Sequence, residues 1–128
     1  MSTLARFTGL PNKDNTSRII TNDFQQPAFV TPLALVITKA KTLVQPAQLT
    51  GIVTITANVG DDAADDLQPF VGDEVEFLLQ SDGTSRVVTF GTGFTPNGTL
   101  SVTTGKFGYI KFMFYCATWQ ETNRTVTA

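Results

Sequence analysis

The sequence predicts an all-β protein: a small antiparallel β-sandwich or barrel preceded by an extended N-terminal arm. The chain is rich in the strand formers Thr, Val and Phe, whereas charged residues make up only 16% of it. Beyond residue 50, turn signals recur about every 8–12 residues and leave no room for a helix. The segments between these turns alternate apolar and polar residues, as half-buried strands do.

The length and the composition indicate one domain with an arm in front of it. A chain of 128 residues has room for a single domain of ordinary size. We expect residues 1–32 to form the extended arm, because they combine turn-forming residues with little alternation. Residues 33–128 then form the β-domain. Phe7, Phe24 and Phe29 lie in the otherwise polar arm, where they either pack into the protein's own core or dock into a neighbouring subunit.

Strands in the first part of the domain are predicted from periodicity. The stretch 33–44 is ambiguous, and its β-branched residues favour a strand. Residues 51–59 alternate clearly. Residues 74–80 and 86–90 flank Asp82-Gly83, a strong hairpin signal, since glycine accepts the positive φ of tight turns. Such a hairpin would bring Arg86 close to Glu76 or Gln80.

The second part of the domain contains a glycine-rich turn region at 91–98, a short strand at 100–103 and a final strand that starts near Trp119. Between them, residues 107–116 are apolar on both faces of one strand. Ile110, Phe112, Phe114 and Cys116 lie on one face, which makes Cys116 a buried, inert thiol. The other face carries Tyr109, Met113 and Tyr115. An antiparallel sheet of a small sandwich buries only one face, so these three side chains need cover. A homo-oligomeric contact would supply it, and so would residues 1–32.

No arrangement of residues indicates catalysis or a cofactor. Histidine is absent and Cys116 is the only cysteine, which excludes the common general base, the Ser-His and Cys-His pairs and an ordinary zinc site. Glu74 and Glu76 share one strand face, as a glycosidase pair might, but a solvated or salt-bridged surface explains them better. We therefore expect no enzyme activity, no catalytic or metal-binding residues and no cofactor.

Charge and hydropathy limit the partners. The net charge is −2 and the cationic residues are scattered, so we expect no nucleic-acid binding. No apolar run is long enough to span a bilayer, and no signal-peptide core follows the N-terminus, so we expect no membrane contact. The single cysteine fits folding in a reducing cytoplasm. An acidic cluster at Asp61, Asp62, Asp65 and Asp66 is either a solvated loop or a weak cation site.

Four stretches of the second half resemble a β-domain found in virion proteins of tailed phages, namely small capsid-decoration proteins and the ends of tail fibres. They are residues 42–54, 72–84, 89–100 and 119–125, the last containing Trp119, Glu121 and Arg124. The sequence departs from the pattern at Cys116-Ala117-Thr118, where a glycine-containing turn is usual. In a regular strand Trp119 and Arg124 lie on opposite faces, so Arg124 would reach Glu121 only through a bend or across a subunit boundary.

The resemblance implies a capsid decoration (cement) protein that binds and stabilises an assembled icosahedral shell. It implies that the protein is made in the host cytoplasm, is located on the virion surface, and has the major capsid protein and copies of itself, as a homotrimer, for partners. Phe7, Phe24 and Phe29 of the arm would contact the shell, and Tyr109, Met113 and Tyr115 would form the subunit interface. The alternative is a tail-fibre tip or receptor-binding module that uses the loop from Thr92 to Thr99. The short chain, which begins with its own Met and an arm, favours decoration.

Overall fold

The computed structural model describes residues 22–59 and 69–126, and these residues form ten β-strands with no helix among them. This confirms the all-β prediction. The strands are β1 Asn22–Gln25, β2 Leu33–Leu35, β3 Lys41–Val44, β4 Val53–Ala57, β5 Glu74–Gln80, β6 Arg86–Phe90, β7 Phe94–Thr95, β8 Leu100–Val102, β9 Phe107–Tyr115 and β10 Thr118–Val126.

The strands belong to two mixed sheets. One has six strands in the order β1-β3-β5-β9-β10-β7, and the other has four in the order β2-β4-β6-β8. From β1 to β9 each strand lies in the opposite sheet to the strand before it, so sheet neighbours are often two strands apart in the chain. Of the eight strand pairings in the described part of the chain, five are parallel and three antiparallel. The expected antiparallel arrangement is therefore wrong.

The turn at Asp82-Gly83 shows why the antiparallel expectation failed. It joins β5 to β6, which belong to different sheets and do not pair. The backbone at the end of β5 bonds with Leu49 instead: the Leu49 N–H donates to Gln80 O at 2.8 Å, and the Asp82 N–H donates to Leu49 O at 3.1 Å. The predicted hairpin is wrong, because turn chemistry sets a change of direction and leaves open which sheet the next strand joins.

Two local expectations are also corrected. Residues 33–44 contain two short strands in different sheets, β2 and β3, instead of one. Cys116 is exposed, because β9 ends at Tyr115 and the next two residues form the turn into β10. Cys116 and Ala117 have φ values of 54° and 68°, so the turn keeps the left-handed geometry that glycine favours although neither residue is glycine.

Side chains from both sheets form one hydrophobic cluster. Its aromatic centre joins the sheets: Phe77 of β5 lies 5.1 Å from Phe90 of β6 between ring centroids, and Phe112 of β9 lies 4.9 Å from Phe90. Such aromatic contacts add to the stabilisation from buried area. Trp119 is fully buried, and its indole N–H donates to Asn58 O at 3.0 Å, so its polar atom is satisfied inside the core.

Candidate interaction surfaces

The outer face of the six-stranded sheet has charged side chains at its centre, and we call it the ionic face. Glu74 lies between two lysines, with a carboxylate oxygen 4.0 Å from Lys41 Nζ and the other 3.4 Å from Lys111 Nζ. The Tyr109 hydroxyl donates to Glu76 Oε2 at 2.6 Å. The ionic face comprises the outward residues Asn22, Phe24, Lys41, Leu43, Glu74, Glu76, Leu78, Gln80, Phe107, Tyr109, Lys111, Met113, Tyr115, Thr118, Gln120, Asn123 and Thr125.

These contacts explain the chemistry of the two glutamates. Burial and the hydrogen bond to the Glu76 carboxylate raise the pKa of Tyr109 to about 12, so its phenol stays protonated and keeps donating. Glu74 and Glu76 are thus engaged with lysine and tyrosine neighbours, in agreement with the salt-bridged surface expected from the sequence. The predicted partner was wrong, however: Arg86 binds Asp82, with Nη2 2.9 Å from Oδ2 and Nε 3.0 Å from Oδ1.

The predicted interface residues lie on the ionic face, on the outward side of β9. Tyr109 and Met113 are half-buried and Tyr115 is 58% exposed, whereas Ile110 and Phe112 on the opposite side are fully buried. The predicted alternation of Tyr109, Met113 and Tyr115 with core residues is confirmed. Because lysine and glutamate side chains lie among them, the face is less apolar than the sequence of β9 alone indicates.

The phenylalanines of the predicted arm lie in different environments. Phe7 lies outside the described residues. Phe24 belongs to β1 at the edge of the six-stranded sheet, pairs with Leu43 of β3, and is 52% exposed. Phe29 is partly buried and packs against the hydrophobic cluster, with its ring 3.4 Å from the position that a Cβ on Gly51 would take. Phe24 is therefore available for contact with a partner, while Phe29 helps to anchor the segment to the domain.

A surface depression of about 440 Å³ adjoins Phe24 on the ionic face. Its lining includes Asn22, Lys41, Leu43 and Glu76, besides Phe24 itself. One aromatic ring, one ammonium and the two carboxylates of Asp23 and Glu76 at an open sheet edge suit contact with a protein surface. They do not form the enclosed apolar pocket with a few converging polar groups that small-molecule and cofactor sites usually have.

The glycine-rich corner and the closing strand bind each other. The Arg124 guanidinium donates to the carbonyl oxygens of Asn97, Gly98 and Thr99 at 2.9–3.2 Å, and to both carboxylate oxygens of Glu121 at 2.7 and 2.8 Å. Glu121 also accepts from the Asn97 N–H at 2.7 Å. The guanidinium of Arg124 lowers the pKa of Glu121. A register shift between Glu121 and Asn123 supplies the bend that the sequence required for this pairing, so the two residues meet within one chain.

The outer face of the four-stranded sheet differs from the ionic face, and we call it the neutral face. Its outward residues are Ala34 of β2, Thr54 and Thr56 of β4, Val87 and Thr89 of β6, and Ser101 of β8. None of these is charged. At one end lie Ile52, which is 67% exposed, and Val30, which is 51% exposed.

The neutral face was not among the surfaces predicted from the sequence. A signal was present, because no outward position of 54–56 or 87–89 carries a charge, but it needed the knowledge that these segments share a sheet. Gly91 lies against this face. The methyl groups of Thr54 and Thr56 lie 3.2 and 3.6 Å from the position of a Cβ on Gly91, so a side chain at this position would crowd them.

In residues 22–59 and 69–126, no group of three or more Cys, Asp or Glu side chains is placed to hold a metal ion. The cluster from Asp61 to Asp66 lies outside the described residues. No helix in the described part of the chain could cross a membrane. Comparison with known protein families gave no match, and comparison with characterised proteins found none with significant similarity.

Proposed function

We propose that this protein is a virion structural protein, a capsid decoration (cement) protein that binds the assembled icosahedral shell and stabilises it. One observation supports the proposal most. Two of the four stretches that resemble phage virion domains, 89–100 and 119–125, contact each other through Arg124 and Glu121. The two stretches form one structural unit, in which the side chains of Arg124 and Glu121 bind the backbone of the loop from Asn97 to Thr99.

The proposal includes a finer description of the fold. The two sheets form a small β-sandwich, and residues 1–32 form an extended arm with Phe7 and Phe24 as its shell-contact residues. The exposed ring of Phe24 supports this role. The partly buried Phe29 would fix the base of the arm to the domain. The partner is the major capsid protein, and the protein acts on the virion surface without nucleic acid, membrane, cofactor or catalysis.

The protein forms a homotrimer through Tyr109, Met113 and Tyr115 in this proposal. The exposed Tyr115 supports it, since a large aromatic side chain at a strand end gains most from cover by another subunit. Stabilisation of the shell follows from mass action. A protein that binds the assembled shell and not its free subunits shifts the equilibrium toward the assembled state.

The test is the number of copies per purified particle, measured by mass spectrometry against the major shell protein. We expect a copy number comparable to that of the shell protein. A handful of copies would contradict decoration, and absence from the particle would contradict any virion role. Light scattering on the purified protein tests the trimer separately, with an expected mass of about three times 13.8 kDa.

The alternative is a tail-fibre tip or receptor-binding module. The observation that favours it is the corner loop itself, in which Arg124 bonds to three successive carbonyl groups. A loop ordered in advance loses less conformational entropy when it binds a target. A low copy number together with binding to host cells would support this second function.

A further inference from the structure

We propose that the neutral face of the four-stranded sheet is the surface that docks on the shell, against an uncharged patch of the shell protein. This inference rests on the proposed decoration function and names the surface that performs it. It differs from the expectation based on sequence, which placed the shell contact in the arm.

The chemistry of the neutral face carries the inference. Solvent-exposed faces of sheets ordinarily carry charged side chains, which keep them soluble and prevent association. The ionic face follows this rule, with Lys41, Glu74, Glu76 and Lys111. The neutral face has only Ala, Ser, Thr and Val at its outward positions, and the exposed Ile52 extends it at one end. A surface without charges costs much less to desolvate than a charged one, so it is better suited to a permanent contact.

The size of the neutral face favours the shell over a second copy. Four strands about 4.8 Å apart and three to five residues long cover roughly 250 Å². A stable interface between two copies buries about 800 Å² on each partner, so the neutral face alone falls short of it. A small contact with a shell is sufficient when the same chain also binds the shell at another site. Once one site is bound, the other binds at a high effective concentration. The proposed arm supplies that second site.

The end of the arm leads onto this face. The ring of Phe29 packs at Gly51, and the Thr54 N–H donates to Thr31 Oγ1 at 3.1 Å. These contacts keep residues 29–31 beside the start of β4. Val30 and Ile52 therefore lie at the same end of the neutral face, which makes the arm and the face continuous.

Adding a charge to this face tests the inference. Ile52→Lys changes the exposed residue just before β4, and Ser101→Lys changes the exposed residue in the middle of β8. The control, Thr84→Lys, adds the same charge in an exposed turn away from both faces. Each purified variant is mixed with virions of the parent virus that lack this chain, and bound copies are counted. We expect binding to weaken about tenfold or more in the first two variants, because a lysine would lose its hydration in the contact, and to be unchanged in Thr84→Lys. Wild-type binding should persist at about 1 M NaCl, where charge interactions are screened.

The other outcomes are distinguishable. Equal binding by all variants, with wild type bound, would overturn this inference and leave decoration intact. A reduced mass of Ile52→Lys and Ser101→Lys in light scattering would assign the face to a second copy and overturn it. A loss of stability in both isolated variants, absent from Thr84→Lys, would assign the face to a segment of the chain itself and also overturn it. Failure of the wild type to bind virions would overturn the proposed function, and this inference with it.

Discussion

The two outer faces of this protein differ in how they meet their surroundings. On the ionic face, side chains satisfy one another: Glu74 lies between Lys41 and Lys111, and Glu76 accepts the hydrogen bond from Tyr109. On the neutral face the outward residues are small and uncharged, and the apolar Ile52 is 67% exposed. The comparison teaches that the aromatic residues of one strand do not by themselves set the character of a sheet face. The charges on neighbouring strands decide how well water can cover a face.

The comparison depends on the corner that separates the two faces, where the chain leaves β6 for β7. Gly93 lies there at a φ of +97°, and a Cβ on it would collide with the carbonyl oxygen of Ala57. We expect Gly93→Ala to lower the free energy of unfolding by about 3 kcal/mol or more, because both the backbone conformation and the space exclude a side chain. Urea denaturation at pH 7 measures it.

Gly105→Ala is the matched control for this prediction. Gly105 also has a positive φ, of +69°, but nothing lies within 4 Å of the added Cβ. It should cost only about 1 kcal/mol, from the backbone conformation alone. Equal losses in the two variants would show that the corner is not held by close contact with Ala57, and the separation of the two faces would need another explanation.

The sequence predicted the parts of this molecule that depend on alternation. The alternation of 107–116 correctly predicted Ile110, Phe112 and Phe114 as buried, but not Cys116, which lies in the turn after β9. It did not predict which strands are neighbours, because the Asp82-Gly83 turn leads from one sheet to the other. For the same reason the candidate surfaces could not be predicted, since each combines residues of several neighbouring strands. Lys41, Glu74 and Lys111 come together only through parallel and antiparallel pairings of distant segments, and so does the neutral face.

The hydrogen bond between Tyr109 and Glu76 on the ionic face should make the free energy of unfolding depend on pH. The pKa of Tyr109 rises from 10.0 to about 12 on folding, because burial and the Glu76 carboxylate both favour the protonated phenol. A raised pKa in the folded state means that the stabilisation is complete below pH 10 and is lost as the pH rises toward 12. We expect Tyr109→Phe to be about 1 kcal/mol less stable than wild type at pH 7.

Denaturation at a series of pH values tests this prediction. The difference between Tyr109→Phe and wild type should be constant from pH 7 to about pH 10 and should shrink above it, since the wild type then pays to keep the phenol protonated. The absorbance of the phenolate gives an independent readout of the titration. A difference that does not change up to about pH 11 would mean that the hydroxyl contributes nothing through Glu76.

The smallest expected change in stability concerns the ion pairs of the ionic face. Its dependence on salt distinguishes the ionic face from the neutral face most directly. Replacing Glu74 by Gln removes the partner of Lys41 and Lys111, whose nitrogen atoms lie 4.0 and 3.4 Å from it. Partly exposed surface pairs at such distances contribute about 0.5 kcal/mol, so Glu74→Gln should lower the unfolding free energy by that amount at low salt and by almost nothing at about 1 M NaCl. Thr56→Val on the neutral face removes a hydroxyl and no charge, so its effect should not depend on salt. If the effect of Glu74→Gln persisted at high salt, these ion pairs would be shielded from solvent ions. The ionic face would then be covered in solution, and the subunit interface would extend from Tyr115 to the centre of this sheet.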